Sequence, residues 1–169
     1  MINLLKKLMD NKNIDGYIIP KNDEFFSEYS FPNRLKTISN FSGSAGMAIV
    51  LKDENFLFVD GRYTEQAEIE SGKNFKIFEI PLIWPKNIFK SYKNKLNIGF
   101  DPRLFTHSSL RHYFYNTCNL SPINENLFYT NNSKNLNINK FYKLDKKIVG
   151  ESSKSKINRV IKILNKKKI

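Results

Sequence analysis

The chain has 169 residues, 40% hydrophobic and 14% aromatic, with a formal net charge of +12. That is enough for one domain with a real core plus an appendage, and too little for two. A single cysteine, Cys118, excludes an internal disulfide framework, and no run approaches the roughly 20 apolar residues that a bilayer-spanning helix needs.

The charge is unevenly placed. Lys and Arg occur twelve times in residues 134–169 against Asp145 and Glu151, so about ten of the twelve net charges lie there and the rest of the chain is nearly balanced. Leu4, Leu5, Leu8 and Met9 recur at helical spacing and predict an amphipathic helix over residues 2–12. Tyr17-Ile18-Ile19, stopped by Pro20, reads as a buried strand feeding a polar surface loop at residues 21–24. Phe25, Phe26, Tyr29 and Phe31, then Leu35 and Ile38, predict two short helices broken at Pro32, with their aromatic faces in the core. The small-residue turn Phe41-Ser42-Gly43-Ser44-Ala45-Gly46 leads into apolar runs at residues 47–51 and 56–59, and the polar connection between them predicts a hairpin. The second run ends in Asp60-Gly61-Arg62-Tyr63, after which Tyr63, Ala67 and Ile69 predict a helix closed by Gly72.

Residues 75–80 alternate as a strand does, and Pro81 and Pro85 bracket a turn carrying Trp84. Residues 86–95 predict a basic helix with Ile88, Phe89 and Tyr92 on one side. A strand over residues 96–100 ends at Asp101-Pro102, and Thr106 is placed to cap a helix reaching about Asn116. Residues 121–142 are Asn-rich and irregular. Gly150-Glu151-Ser152-Ser153 then opens a last helix, with Ile157, Val160, Ile161 and Leu164 forming an apolar stripe that has no obvious partner. A hairpin among several strand–helix alternations indicates the α/β class: a mixed β-sheet flanked by helices, plus a C-terminal helix.

Few residues carry chemistry. Gly43 and Gly46 permit a close backbone crossing, and Gly61 lets a strand turn sharply into a helix whose first N–H groups Asp60 can accept. Arg62 is then held at an exposed corner, its planar fork suited to a carboxylate such as a peptide's C-terminal group, with a salt bridge to Glu65 as the purely structural alternative. His107 and His112 are about 140° apart around their helix at 100° per residue, so they do not share a face and form no metal-ligand pair. Cys118 reads as a packed thiol, Ser42-Gly43-Ser44-Ala45-Gly46 lacks the first glycine of a nucleophile elbow, and Tyr113-Phe114-Tyr115 reads as a helix face entering the core. Lys166-Lys167-Lys168 reads as a solvated helix end.

Taken in order, Asp23-Glu24-Phe25-Phe26-Ser27-Glu28-Tyr29, Arg34-Leu35, Ser39-Asn40-Phe41-Ser42-Gly43-Ser44-Ala45-Gly46 and Val59-Asp60-Gly61-Arg62-Tyr63 with Gln66-Ala67 resemble the N-terminal domain of the Xaa-Pro aminopeptidases, the creatinase/prolidase N-terminal type. Ile98-Gly99-Phe100-Asp101-Pro102 is similar to the strand that closes that domain. Gly150-Glu151-Ser152-Ser153 with Lys156-Ile157 resembles the opening of the second domain in the long, three-domain form. One position departs from the pattern: Phe25 stands where relatives often carry a histidine.

The resemblance implies a creatinase N-terminal, ribonuclease H-like fold over residues 1–142, then a linker and the first helix of a truncated second domain over residues 143–169. It implies a non-catalytic role in dimer assembly and substrate access, beside a C-terminal pita-bread catalytic domain with two manganese ions that releases the N-terminal residue preceding proline. The chain ends before those metal ligands, so the expectation is no catalytic residue, no metal site and no activity alone. Of its residues, the resemblance assigns substrate binding to Arg62 only. The implied partners are the catalytic domain, a peptide substrate and a second copy in a homodimer, in the cytoplasm, with neither nucleic acid nor membrane. A stand-alone peptide- or protein-binding module is the alternative, and nucleic-acid binding through residues 134–169 is a third reading.

Overall fold

A computed structural model describes residues 1–27, 29, 33–124, 127 and 142–167. Its first helix, α1 (Ile2–Asn11), buries Leu5 and Met9, one turn apart, and leaves Leu4 exposed. The sheet comes from short apolar runs: β1 (Gly16–Pro20), β2 (Met47–Leu51), β3 (Asn55–Asp60), β4 (Lys76–Ile80), β5 (Asn97–Phe100) and β6 (Asn119–Pro122), in the order β4-β3-β2-β1-β5-β6. β2 is antiparallel to both β1 and β3, whereas β3–β4, β1–β5 and β5–β6 pair in parallel. Five strands therefore point their C-terminal ends to one edge, and β2 begins there.

The central strands are buried on both faces, which is why they read as unbroken apolar runs. Alternate side chains go to opposite layers. Ile19, Val50 and Val59 pack with Leu35, Ile38 and Ala67, under α1, α2 (Arg34–Ser39) and α3 (Thr64–Ser71). Ile18, Ile49, Phe56 and Phe58 pack with Phe89 and Phe114, under α4 (Pro85–Phe89) and α5 (His107–Phe114). Each fully buried side chain of this size contributes about 1.5–3 kcal/mol, so the two layers outweigh the modest propensities of these short elements.

Four expectations need correction. No helix forms over the described residues 24–27, because Asp23 accepts the N–H groups of Phe25 and Ser27 (both 2.9 Å) and its carbonyl takes that of Phe26. This local turn outcompetes a helix and sets Phe26 at φ 58°. Its aromatics are consequently outside the core: Phe25, Phe26 and Tyr29 are exposed, while Phe31 and Pro32 lie outside the described residues. Lys21, expected on the surface, is buried, and its N–H donates to the Gly46 carbonyl (3.0 Å), which prolongs the β1–β2 ladder past Pro20 and keeps the chain at the sheet edge. The basic helix closes at Phe89, where Ser91 bonds back to the Ile88 carbonyl through both its N–H and its hydroxyl. Finally, Ser121 and Pro122 belong to β6, while residues 125, 126 and 128–141 of the Asn-rich stretch lie outside the described residues.

The chain divides into two compact units, Met1–Thr130 and Asn131–Ile169. In the second, Asp145 caps α6 (Lys146–Val149), and the Ser152 hydroxyl accepts the Ser155 N–H at the start of α7 (Ser153–Lys166), as its sequence predicts. Ile157, Val160, Ile161 and Leu164 of α7 are all exposed. Lys168 lies outside the described residues. Among the described residues, no helix is long and apolar enough to cross a membrane.

Candidate functional site

The two sequence motifs converge at the edge where β3 ends and β2 begins. Phe41 is fully buried beneath the turn that follows it, and a Cβ on Gly43 would lie 2.2 Å from its ring, so glycine is required there. The Phe41 ring meets Tyr63 edge-on at 5.7 Å, and Ser44 Oγ is 2.9 Å from the Tyr63 hydroxyl. Ser42 donates its N–H and its hydroxyl to the two Glu70 carboxylate oxygens (both 2.7 Å), and Gln66 Nε2 donates to Ser42 Oγ (2.8 Å). The Ser42 N–H, foremost, holds the Glu70 carboxyl below its ordinary range. The small-residue turn and the helix after Asp60-Gly61-Arg62-Tyr63 are thus tied together by side chains from both motifs.

Arg62 pairs with Asp60, not with Glu65. Asp60 Oδ1 accepts the backbone N–H and the Nε–H of Arg62 (both 3.0 Å), and Oδ2 accepts from Nη2 (2.8 Å). These bonds, led by the guanidinium, hold the Asp60 carboxyl below the usual carboxylate range. The Arg62 side chain is 74% exposed, and its guanidinium carbon lies 5.3 Å from the Tyr63 ring centroid. An acid two residues earlier thus orients a planar cation at the rim without burying it.

Sequence reasoning missed a second copy of this device. Asp101 Oδ1 accepts the Arg103 N–H and Nε–H (both 3.0 Å), and Oδ2 accepts from Nη2 (2.7 Å). The signal was present, since Asp-x-Arg follows an apolar run at residues 60–62 and again at 101–103. Arg34 is a further buried cation, 4.0 Å from Glu24, with Nε and Nη1 lacking hydrogen-bond partners. Tyr17, also buried, has its hydroxyl pKa raised by burial and then by the Asp101 charge.

Between the corners after β3 and β5 opens a cleft of about 310 Å³. Its walls are largely apolar, from Met47, Phe58, Ile80, Leu104 and Phe105, with Asn22, Asp60, Ser109 and Tyr113 supplying polar groups and Phe26 on the wall from the Asp23 turn. Asn22 Nδ2 donates to the Leu104 carbonyl (3.0 Å), which ties that turn to the segment after β5.

Other candidates are accounted for by packing. His112 stacks edge-on against Trp84 at 4.5 Å, and His107 is exposed. Burial pushes the Cys118 thiol up to about 12, leaving it protonated and unreactive at neutral pH. Of Tyr113-Phe114-Tyr115, Phe114 is in the core and Tyr115 is exposed. Among the described residues, no three His, Cys, Asp or Glu side chains come together as a metal-holding group.

The sequence model of the creatinase/prolidase N-terminal domain matches residues 1–128. A curated relative, the probable Xaa-Pro aminopeptidase P of Coprinopsis cinerea, is 30% identical over 97% of this chain and 28% of its own length. The chain therefore spans less than a third of that relative. Among solved structures, the X-prolyl aminopeptidase of Caenorhabditis elegans, described as a cytosolic enzyme with a di-nuclear active site, superposes on 99% of this chain and 31% of its own, at a TM-score of 0.74 and 24% identity. The N-terminal domain of the cytoplasmic peptidase PepQ of Mycobacterium tuberculosis matches 72% of this chain and 91% of its own, at a TM-score of 0.56 and 19% identity. At these identities the structural likenesses establish the fold.

Proposed function

Because the chain belongs to the creatinase/prolidase N-terminal domain family, we propose that it is the substrate-access and assembly domain of a peptidase that releases the N-terminal residue preceding proline. The observation that carries this reading is the Asp60-clamped, solvent-facing guanidinium of Arg62. It stands on the sheet edge at which α/β folds place ligands, and its chemistry suits a peptide carboxylate. Arg62 is the substrate-binding residue in this proposal.

The described residues do not fit a metal, so no step of the reaction is assigned to them. The relatives' greater length leaves room for a pita-bread catalytic domain, to which we assign a dinuclear manganese centre. Residues 143–169 are proposed as the linker and first helix of the second domain, with assembly as a cytoplasmic homodimer.

The test is Arg62→Ala in the complete peptidase, catalytic domain attached. A charge-assisted hydrogen bond contributes about 1.5–3 kcal/mol, so kcat/KM for proline peptides is expected to fall about 10- to 100-fold, mainly through KM. Arg62→Lys, which lacks the planar fork, is expected to restore little of it. Unchanged KM and kcat would remove Arg62 from the substrate site.

A further inference from the structure

Arg34 stands apart from the two corner arginines. The side chains of Arg62 and Arg103 are half exposed or more, and each is gripped by an acid two residues earlier. Arg34 is 5% exposed, and its Nε and Nη1 have no hydrogen-bond partner among the described residues. The acid paired with it, Glu24, is 4.0 Å from Nη2, beyond hydrogen-bond reach, and is itself 46% exposed. Asp101 is buried, but both of its carboxylate oxygens are taken by Arg103. A charged donor removed from water needs an acceptor in its place, and native proteins supply one.

Arg34 lines a cavity of about 10 Å³ between β1 and the segment after β5, beside Tyr17, Pro20, Asp101 and Leu104. That is room for about one water-sized sphere, and too little for a carboxylate, a phosphate or a side chain. Its lining is polar as well as small. Burial, and then the Asp101 charge, raise the Tyr17 hydroxyl, with Arg103 and Arg34 opposing, so this group stays protonated and can both donate and accept. Polar cavities of this size hold an occupant, whereas apolar ones stay dry.

We infer that Arg34 and this cavity form a site for a one-atom hydrogen-bond acceptor, a chloride ion or the oxygen of a single water, held by the buried guanidinium. Nε and Nη1 lie on different edges of the guanidinium plane, so the occupant serves one of them. Chloride offsets the buried positive charge, while a water also offers its protons to the Asp101 carboxylate. Either one joins the start of α2 to β1 and to the corner after β5. The site is independent of Arg62 and of the function proposed above.

The experiment is NMR on the full 169-residue chain, with chloride replacing gluconate as the sodium salt at constant ionic strength. If chloride is the acceptor, the amide signals of Tyr17, Ile19 and Leu104 shift saturably as it is added. If water is the acceptor, those signals ignore chloride and show cross-relaxation with a long-lived water. Arg34→Met, of similar length but without the donors, is expected to abolish whichever signature the unmodified chain gives. Neither signature at these amides in the unmodified chain would overturn the site. So would shifts confined to α7, an adventitious ion only, or a signature that persists in Arg34→Met. The readings on the unmodified chain need no variant, so they decide the matter even if Arg34→Met does not fold.

Discussion

Asp60 accepts three hydrogen bonds from Arg62, and this fixes the sign of its pH dependence. Its folded-state pKa is depressed, so the pairing stabilises the corner above the ordinary aspartate value of 3.8 and is lost as pH falls through the lower folded value. A carbon-13 titration of the Asp60 carboxyl is expected to give a midpoint below 3.8, moving upward in Arg62→Ala. A midpoint at or above 3.8 in the unmodified chain would contradict the clamp. The corner itself was legible in Asp60-Gly61-Arg62, because a glycine between an acid and a base at a strand end is a local signal. Its true partner was not, since Asp60 and Glu65 are both within sequence reach of Arg62. Arg34 was opaque for another reason: an arginine becomes a core residue only through what folds over it.

Among the elements, those whose apolar residues face one environment were read correctly. Helix α5 is an instance: the Thr106 hydroxyl accepts the Ser109 N–H (3.0 Å) while Ser109 Oγ accepts the Thr106 N–H (3.1 Å). Thr106→Ala is expected to lower stability by about 1 kcal/mol in denaturant unfolding, with an unchanged slope against denaturant. The β2–β3 hairpin was equally plain, and so was α7, where Ser152 opens an apolar stripe. The residues after Asp23 misled because their aromatics imitate a helical face, whereas one carboxylate oxygen captures the N–H groups that a helix would need. Strand β6 was invisible for want of apolar alternation: Asn119, Ser121 and Pro122 join the sheet through their backbone register beside Asn97, Gly99 and Phe100. The cleft is a product of five separate segments and could be assembled only in three dimensions.

For the molecule as a whole, the absence of a three-ligand group among the described residues yields a direct expectation. The thermal midpoint of the purified chain should be the same with and without a strong chelator. A chelator-dependent midpoint would reveal a metal bound by it. The single reversed strand has a longer reach. With β2 entering where its neighbours leave, the turn before it is delivered to the same margin as the loops after β1, β3, β4 and β5. Exposed positions of those loops can be rewritten while buried anchors such as Phe41 and Leu104 stay in place, so a lineage inheriting this scaffold can retune what the margin touches while its interior passes on unaltered.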